Sequence, residues 1–557
     1  MKPLQIKKIG LYVCLSLLWI GLTPTLRAQT ELKENKNFEI LKNLEIFSTA
    51  YKELELNYVD EIEPGSLIKT ALDAMLRSLD PYTVYIPESD VEDYKIMTLG
   101  QYGGIGSTIH TRNGEVYISE PYKGFPADKA NLKPGDKIIA INGEETKGKS
   151  SADVSTMLKG QAGTTFEITI ERQGVSKPIT VSLTRKEIKI DNVTFFELFP
   201  DSIGYIRLDG FTQGAAKEVK EAFFELKKQG MKALILDLRY NGGGLMNEAV
   251  QIVNLFCPKG IPVVSTKGKV EDKNTVYYTM DSPVDLQIPI VCLNSRATAS
   301  ASEIVSGALQ DYDRAVIVGE RTFGKGLVQN IIPLVYNSQM KITVSKYYIP
   351  SGRCVQAIDY SHRDEEGMAN KIPDSLRTAF KTKAGRIVYD GYGIEPDVEL
   401  EEEMTTNVGV SLITKFLIFD YANEFKRKQE KIGLVKEFEI TDIIYKDFLN
   451  FMKDKDYSYE TRSESLLKEF KKYAQADSCY KEVEPELEAL KKSIAKTKEN
   501  DLIKNKEEIK KMLKAEIASR YYYQAGRAEA ELKGDKIVAK AVQVLNSTKE
   551  YSLILGQ

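Results

Sequence analysis

Apolar and polar positions change rhythm along the chain, and each change predicts a different kind of structure. Between 31 and 98 the apolar residues recur at three and four, as in Phe38, Leu41 and Leu44 and later Leu67, Ile68, Leu72 and Met75, which predicts helices. From about 99 to 188 the pattern alternates at Ser107 to His110, Val116 to Ser119, Phe166 to Glu171 and Ile179 to Leu183. One helical stretch interrupts it near Ser151 to Leu158. From 189 to 400 continuous apolar runs (Ile203 to Leu208, Ala233 to Leu238, Ile288 to Leu293) take turns with helical patterns at Ala215 to Lys228 and Leu245 to Phe256. That order predicts a mixed α/β layer fold. Residues 401–557 return to helical spacing, as in Leu466, Phe470 and Tyr473, or Ile509, Met512 and Leu513.

A chain of 557 residues exceeds what one core can serve and predicts several domains. Its beginning, with Lys2, Lys7 and Lys8, an apolar run from Ile9 to Leu22, Pro24 and Ala28, reads as a secretory signal peptide over 1–28. An uncleaved anchor is the rival reading, but the run falls short of the roughly 20 residues a span needs. The expectation is an exported protein of the periplasm or cell envelope, with no stable membrane span after cleavage. Losing the four positive charges of that segment takes the formal net charge from −3 to −7. No basic stripe with interleaved aromatics points to nucleic acid. Cys257, Cys292, Cys354 and Cys479 are too scattered for a disulfide framework, and nothing in the sequence selects a pair.

The candidate chemistry lies in Asn294-Ser-Arg-Ala-Thr-Ala-Ser-Ala-Ser-Glu-Ile304 and in Gly319-Glu-Arg-Thr-Phe-Gly-Lys-Gly-Leu-Val-Gln329. An apolar strand empties into hydroxyl residues that open a helix, and a lysine follows between two glycines. One reading makes the serines helix caps and Lys325 a solvated loop charge. A second is a phosphate loop, which fails because Gly326 replaces the Ser or Thr and the following residues alternate like a strand. The third is a nucleophile with its base. The chain has only two histidines, His110 and His362, so a Ser-His-Asp triad is poorly supplied and lysine is the remaining candidate base. To accept a proton, its pKa must fall from about 10.4 by roughly 2 to 3 units, a cost on the order of 3 to 4 kcal/mol met by an apolar pocket. Phe323, Leu327 and Val328 are the residues available to line one. Spacing alone does not choose among Ser295, Ser300 and Ser302.

Thr298 to Ile304 together with Thr322-Phe-Gly-Lys-Gly-x-x-Gln329 resembles the active-site signature of the carboxy-terminal (tail-specific) processing serine peptidases. The resemblance implies Ser300 as nucleophile, Lys325 as general base and Gln329 as an accessory residue. Leu236-Asp-Leu-Arg-Tyr-Asn-Gly-Gly-Gly244 resembles the family's glycine loop, with Gly242 where a proline is usual. It implies an oxyanion hole built from Gly243, Gly244 and Ala301, on a crotonase/Clp-like α/β spiral over 189–400. Glu303 and Arg239 are expected to be structural. Residues 99–188, with Gly103-Gly-Ile-Gly106 and Leu132-Lys-Pro-Gly-Asp136, resemble a permuted PDZ domain. Such a domain adds a peptide's end as a strand and receives its carboxylate on backbone amides. The implied substrate contacts are Gly104, Ile105 and Gly106, with Val154 and Leu158 beside them.

The expected protein is thus a multidomain α/β serine endopeptidase: a leader at 1–28, helices at 29–98, a PDZ domain at 99–188, a catalytic domain at 189–400 and a helical extension at 401–557. The extension matches no motif. Its Tyr521-Tyr-Tyr523 and its apolar end, Tyr551-Ser-Leu-Ile-Leu555, suggest packing against a second copy or an adaptor protein. Substrates are proteins with unstructured, apolar C-termini, and neither metal nor cofactor is required. The alternative is an inactive PDZ scaffold or chaperone, with nucleotide binding a distant third.

Overall fold

The computed structural model describes residues 35–91, 94 and 99–557; the expected leader lies outside them. Residues before Ile86 form a unit of their own, with helices at 35–57 and Pro64–Arg77. Everything from Ile86 onward forms a second unit.

Its centre is a six-stranded sheet whose spatial order follows the chain: β1 (Val193–Leu198), β2 (Ile203–Leu208), β3 (Ala233–Asp237), β4 (Ile290–Asn294), β5 (Val316–Gly319) and β6 (Val398–Glu399). β1 runs antiparallel to β2, and the remaining pairs are parallel. Parallel strands need crossovers, here α1 (Ala215–Lys228), α2 (Met246–Phe256) and α3 (Ala301–Asp311). Side chains alternate between faces, and both faces are buried, which is why the strands read as continuous apolar runs. Ile206, Leu208, Leu234, Leu236, Cys292 and Ile317 pack with α1–α3. Tyr205, Ile235, Val291, Leu293 and Val318 pack against Ile537, Val538, Ala541 and Val544 of a helix near the C-terminus, α4 (Lys536–Asn546).

That second face alters the expectation for the tail's end. Tyr551 places its hydroxyl oxygen 2.9 Å from the Ile290 amide, which donates to it, and Leu555 is buried in the same cluster. Tyr551, Ile554 and Leu555 are therefore used within the chain to cover the sheet's second face, while Leu553 stays exposed. Two further parts of the tail, residues 408–459 and 502–521, pack around Leu417, Tyr421, Phe448, Ile509 and Ile517.

The domain ahead of this six-stranded sheet has its own five-strand sheet path, Ser107–Arg112, Glu115–Pro121, Lys137–Ile141, Thr165–Glu171 and Ile179–Thr184, closed by a pair between Gln101–Gly104 and Lys186–Lys189. Ser107–Arg112 lies at the sheet's edge, beside the helix Ser151–Leu158. That helix begins with a reciprocal cap: the Asp153 amide donates to Ser150 Oγ (3.2 Å) and the Ser150 amide to Asp153 Oδ2 (2.9 Å). Asp136 explains the Leu-Lys-Pro-Gly-Asp turn. Buried, it accepts from the Lys133 amide at 2.7 Å and from both ends of the Arg172 fork at 2.7 Å. Among the described residues, no helix is long and apolar enough to cross a membrane.

Candidate active site

Ser300 follows β4 and opens α3 with a backbone that serine rarely adopts, φ 58° and ψ −115°. Such a conformation costs on the order of 1–3 kcal/mol and persists only where its surroundings over-determine it. Here they do. The Ser300 amide donates to Glu303 Oε2 (2.8 Å), its carbonyl accepts from the buried Tyr347 hydroxyl (3.2 Å), and the preceding Ala299 amide donates to the Asn241 carbonyl (3.0 Å).

Glu303 joins this turn to the lysine loop. Fully buried, it accepts from the Lys325 amide on the same Oε2 (2.9 Å), and from the Gly324 amide (2.8 Å) and Thr322 hydroxyl (2.5 Å) on Oε1. One carboxylate oxygen therefore holds the backbones of Ser300 and Lys325 side by side. Burial raises the Glu303 pKa, with the bonds from Thr322, Lys325, Ser300 and Gly324 acting the other way. The glycines flanking Lys325 are required by contact. A Cβ at Gly324 would stand 2.5 Å from that of Ala357, and one at Gly326 would stand 2.7 Å from the Gln356 amide.

Leu327–Pro333 continues as a strand, so this stretch offers no helix N-terminus to cradle phosphate. Gln329 lies on that strand and donates from Nε2 to Thr343 Oγ1 (3.2 Å) on its partner. Of the three apolar neighbours expected around Lys325, Leu327 is buried and Val328 packs on the main core. Phe323 donates its amide to the Thr298 carbonyl (2.9 Å), and its side chain is 49% exposed.

The glycine loop meets the serine turn from below. At Gly243, φ is 95° and a Cβ would lie 2.7 Å from the Ala299 carbonyl and 2.8 Å from the Ala301 nitrogen. Its own N–H donates to Asn241 Oδ1 (2.9 Å), so of the three amides named from the sequence it is the one already spent. The amides of Gly244 and Ala301 make no hydrogen bond among the described residues. Nothing stands within 4 Å of a Cβ at Gly242, where the resembling family carries proline.

Both histidines are engaged elsewhere. His110 places Nδ1 2.7 Å from Ser119 Oγ and stacks on Phe416, and the exposed His362 pairs with Asp359 (2.7 Å). Burial pushes the Cys257 and Cys292 thiols up to about 12, leaving them inert.

In the preceding domain, Gly104 lies in the strand pair that closes the fold, and Gly106 adopts φ 70° against Phe125. Ile105, Val154 and Leu158 are buried together in that domain's core. They have to fill the space between its sheet and helix.

Residues 202–361 match the model of peptidase family S41 and 117–172 that of the PDZ domain. Residues 408–545 match a probable PDZ-protease C-terminal helical domain, so the tail that matched no motif is a recognised module. Residues 5–89 match the N-terminal domain of the activating protease CtpB. A carboxy-terminal-processing protease of Bartonella bacilliformis is 33% identical over 358 residues, covering 64% of this chain and 81% of the relative. Carboxy-terminal processing protease CtpA of Bacillus subtilis is 34% identical over 309 residues, 55% of this chain and 65% of the relative. The solved photosystem II D1 C-terminal processing protease is 29% identical and covers 65% of this chain and 93% of its own, with a TM-score of 0.34. A strand-turn-helix that presents Ser300, a glycine-framed lysine tied to it, a PDZ domain ahead of both, and the matches to the family models and the Bartonella relative lead to one conclusion. The chain belongs to the carboxy-terminal processing protease family, as a peptidase that carries a PDZ domain.

Proposed function

We propose that this protein is an exported serine endopeptidase that takes the C-terminal tail of a substrate on its PDZ domain and cuts the chain with Ser300 and Lys325. The observation that carries the reading is the Glu303 carboxylate, which receives the amides of both residues on one oxygen. Neutral Lys325 takes the proton as Ser300 Oγ attacks the carbonyl, passes it to the leaving amine, and then activates the water that releases the acyl group. The unpartnered amides of Gly244 and Ala301 receive the developing oxyanion, a contribution of about 3 to 4 kcal/mol per donor. Gln329 orders this side of the site through Thr343. The edge strand Ser107–Arg112 offers the row of backbone groups on which a tail can be added as a further strand, with its carboxylate at Gly104 to Gly106.

The test compares wild type with Ser300→Ala and Lys325→Ala on an unstructured substrate ending in apolar residues. Cleavage by wild type alone supports the dyad, and equal cleavage by all three removes it. Tail binding without cleavage by any of them assigns a scaffold. The wild-type rate rises into the alkaline range as the lysine sheds its proton, whereas a limb near about pH 6.5 assigns histidine.

A further inference from the structure

The loop that carries Gly244 is held from outside the catalytic domain. It leaves β3 at Asp237, a buried carboxylate that accepts from the Tyr205 hydroxyl (2.7 Å), from the Arg239 amide (2.9 Å) and from Arg239 Nη2 (2.6 Å). The remaining arm of that guanidinium, Nη1, lies 2.7 Å from Asp535 Oδ2 and, at the longer distance of 3.9 Å, faces Glu402 Oε1. Asp535 belongs to the C-terminal helical module, where it also caps α4 by accepting from the amides of Ile537 and Val538.

The next residue shows why the loop needs this anchor. Tyr240 has φ 60°, a left-handed conformation that a large side chain avoids, and it stands immediately before Asn241, whose side chain takes up the Gly243 amide. Arg239 and the Tyr240 amide, which donates to Ser295 Oγ at 3.0 Å, fix the approach to that turn, and the Asn241 carbonyl, accepting from the Ala299 amide at 3.0 Å, ties its exit to the serine turn. Release of either end lets the turn relax and moves the Gly244 amide.

Building on the Ser300 reading, we propose that Asp535 is a positioning residue for catalysis. By holding Arg239 it sets the backbone of residues 239–244, so the peptidase is completed by its C-terminal module. The module is thus a component of the active site, beyond covering the sheet.

Asn caps a helix as well as Asp does, so Asp535→Asn removes the charge while keeping α4 capped. In the full chain this variant is expected to lower kcat at least about tenfold with KM within about twofold, because a displaced oxyanion donor acts on the transition state. Labelling of Ser300 by a fluorophosphonate slows in parallel, Tm stays within a few degrees, and hydrogen exchange at 239–245 quickens. Asp535→Glu restores part of the rate. Wild-type kcat, labelling and exchange in Asp535→Asn overturn the proposal, as does a loss that disappears once rates are divided by the folded fraction. If wild type itself neither cleaves nor is labelled, the Ser300 reading falls. The exchange of 239–245 then decides by itself whether Asp535 holds the loop.

Discussion

The Ser300 turn and the PDZ domain's glycine turn are held in opposite ways. Around Ser300 the clamping groups are buried: Asn241, Thr298, Glu303 and Tyr347 all lie inside, and between them they satisfy the backbone of three separate loops. The PDZ domain's Gly103 to Gly106 turn is fixed within its own small fold. That fold meets the C-terminal module partly through half-exposed pairs, such as Arg112 with Asp420 (2.8 Å), Tyr523 with Asp128 (2.7 Å) and Arg427 with Gln173 (3.0 Å), and partly through the more buried Glu120 beside Arg527 (3.6 Å) and the His110–Phe416 stack. Exposed ion pairs contribute about 0–1 kcal/mol each, whereas an orphaned buried donor costs about 1–3 kcal/mol. The Ser300 turn is thus held by buried bonds, whereas several of the contacts that seat the PDZ domain are individually weak.

Four changes test that contrast, in order of expected effect. Glu303→Ala leaves the amides of Ser300, Gly324 and Lys325 without their acceptor. It should lower kcat by about 10³ or more and destabilise by on the order of 3 kcal/mol or more, read by kinetics and urea titration. An active, stable variant would show that the turn is not clamped as described. Gly243→Ala sets a Cβ 2.7 Å from the Ala299 carbonyl at φ 95°. A loss of about 10²-fold in kcat with about 1–3 kcal/mol of stability is expected, while Gly242→Ala, in open space, stays within about 0.5 kcal/mol of wild type.

On the PDZ side, Phe416→Ala removes the ring stacked on His110 at 4.2 Å. A cost of about 1 kcal/mol is expected, seen as faster hydrogen exchange in residues 107–112, with cleavage of a short substrate that bypasses the PDZ domain unaltered. The smallest effect is acidification. Burial and the Arg112 charge lower the His110 pKa from its ordinary 6.5, and Asp420 opposes them. The unfolded chain therefore binds the proton first. The stabilisation His110 contributes is present above about pH 6.5 and is lost as pH falls through its lower folded value. Exchange at 107–112 should quicken below pH 6, and exchange that instead slows there would reverse the sign.

Much of the fold was legible because burial on both faces writes itself into the strands. The runs Ile203 to Leu208 and Ala233 to Leu238 have to lie in a covered parallel sheet, and α1 and α2 sit where the intervening helical spacing predicts. The site was legible in part. Resemblance singled out Ser300 and Lys325, but nothing local distinguishes Glu303 from an ordinary capping glutamate, since three of its four donors come from a loop some twenty residues downstream. Period and spacing likewise do not reveal that Asn241 uses up the Gly243 amide, or that Phe323 faces outward.

What the sequence determined by itself was therefore local: element types from apolar period, glycine where φ is positive, and a serine and a lysine of known signature. The tertiary structure decided the pairings between distant segments. It put α4 on the sheet's second face, Asp535 on Arg239, and one carboxylate between Ser300 and Lys325. The physical reason is that a residue's backbone preference is set by its own side chain and neighbours, whereas the partner of a buried charge or apolar face is set by which segments close around it.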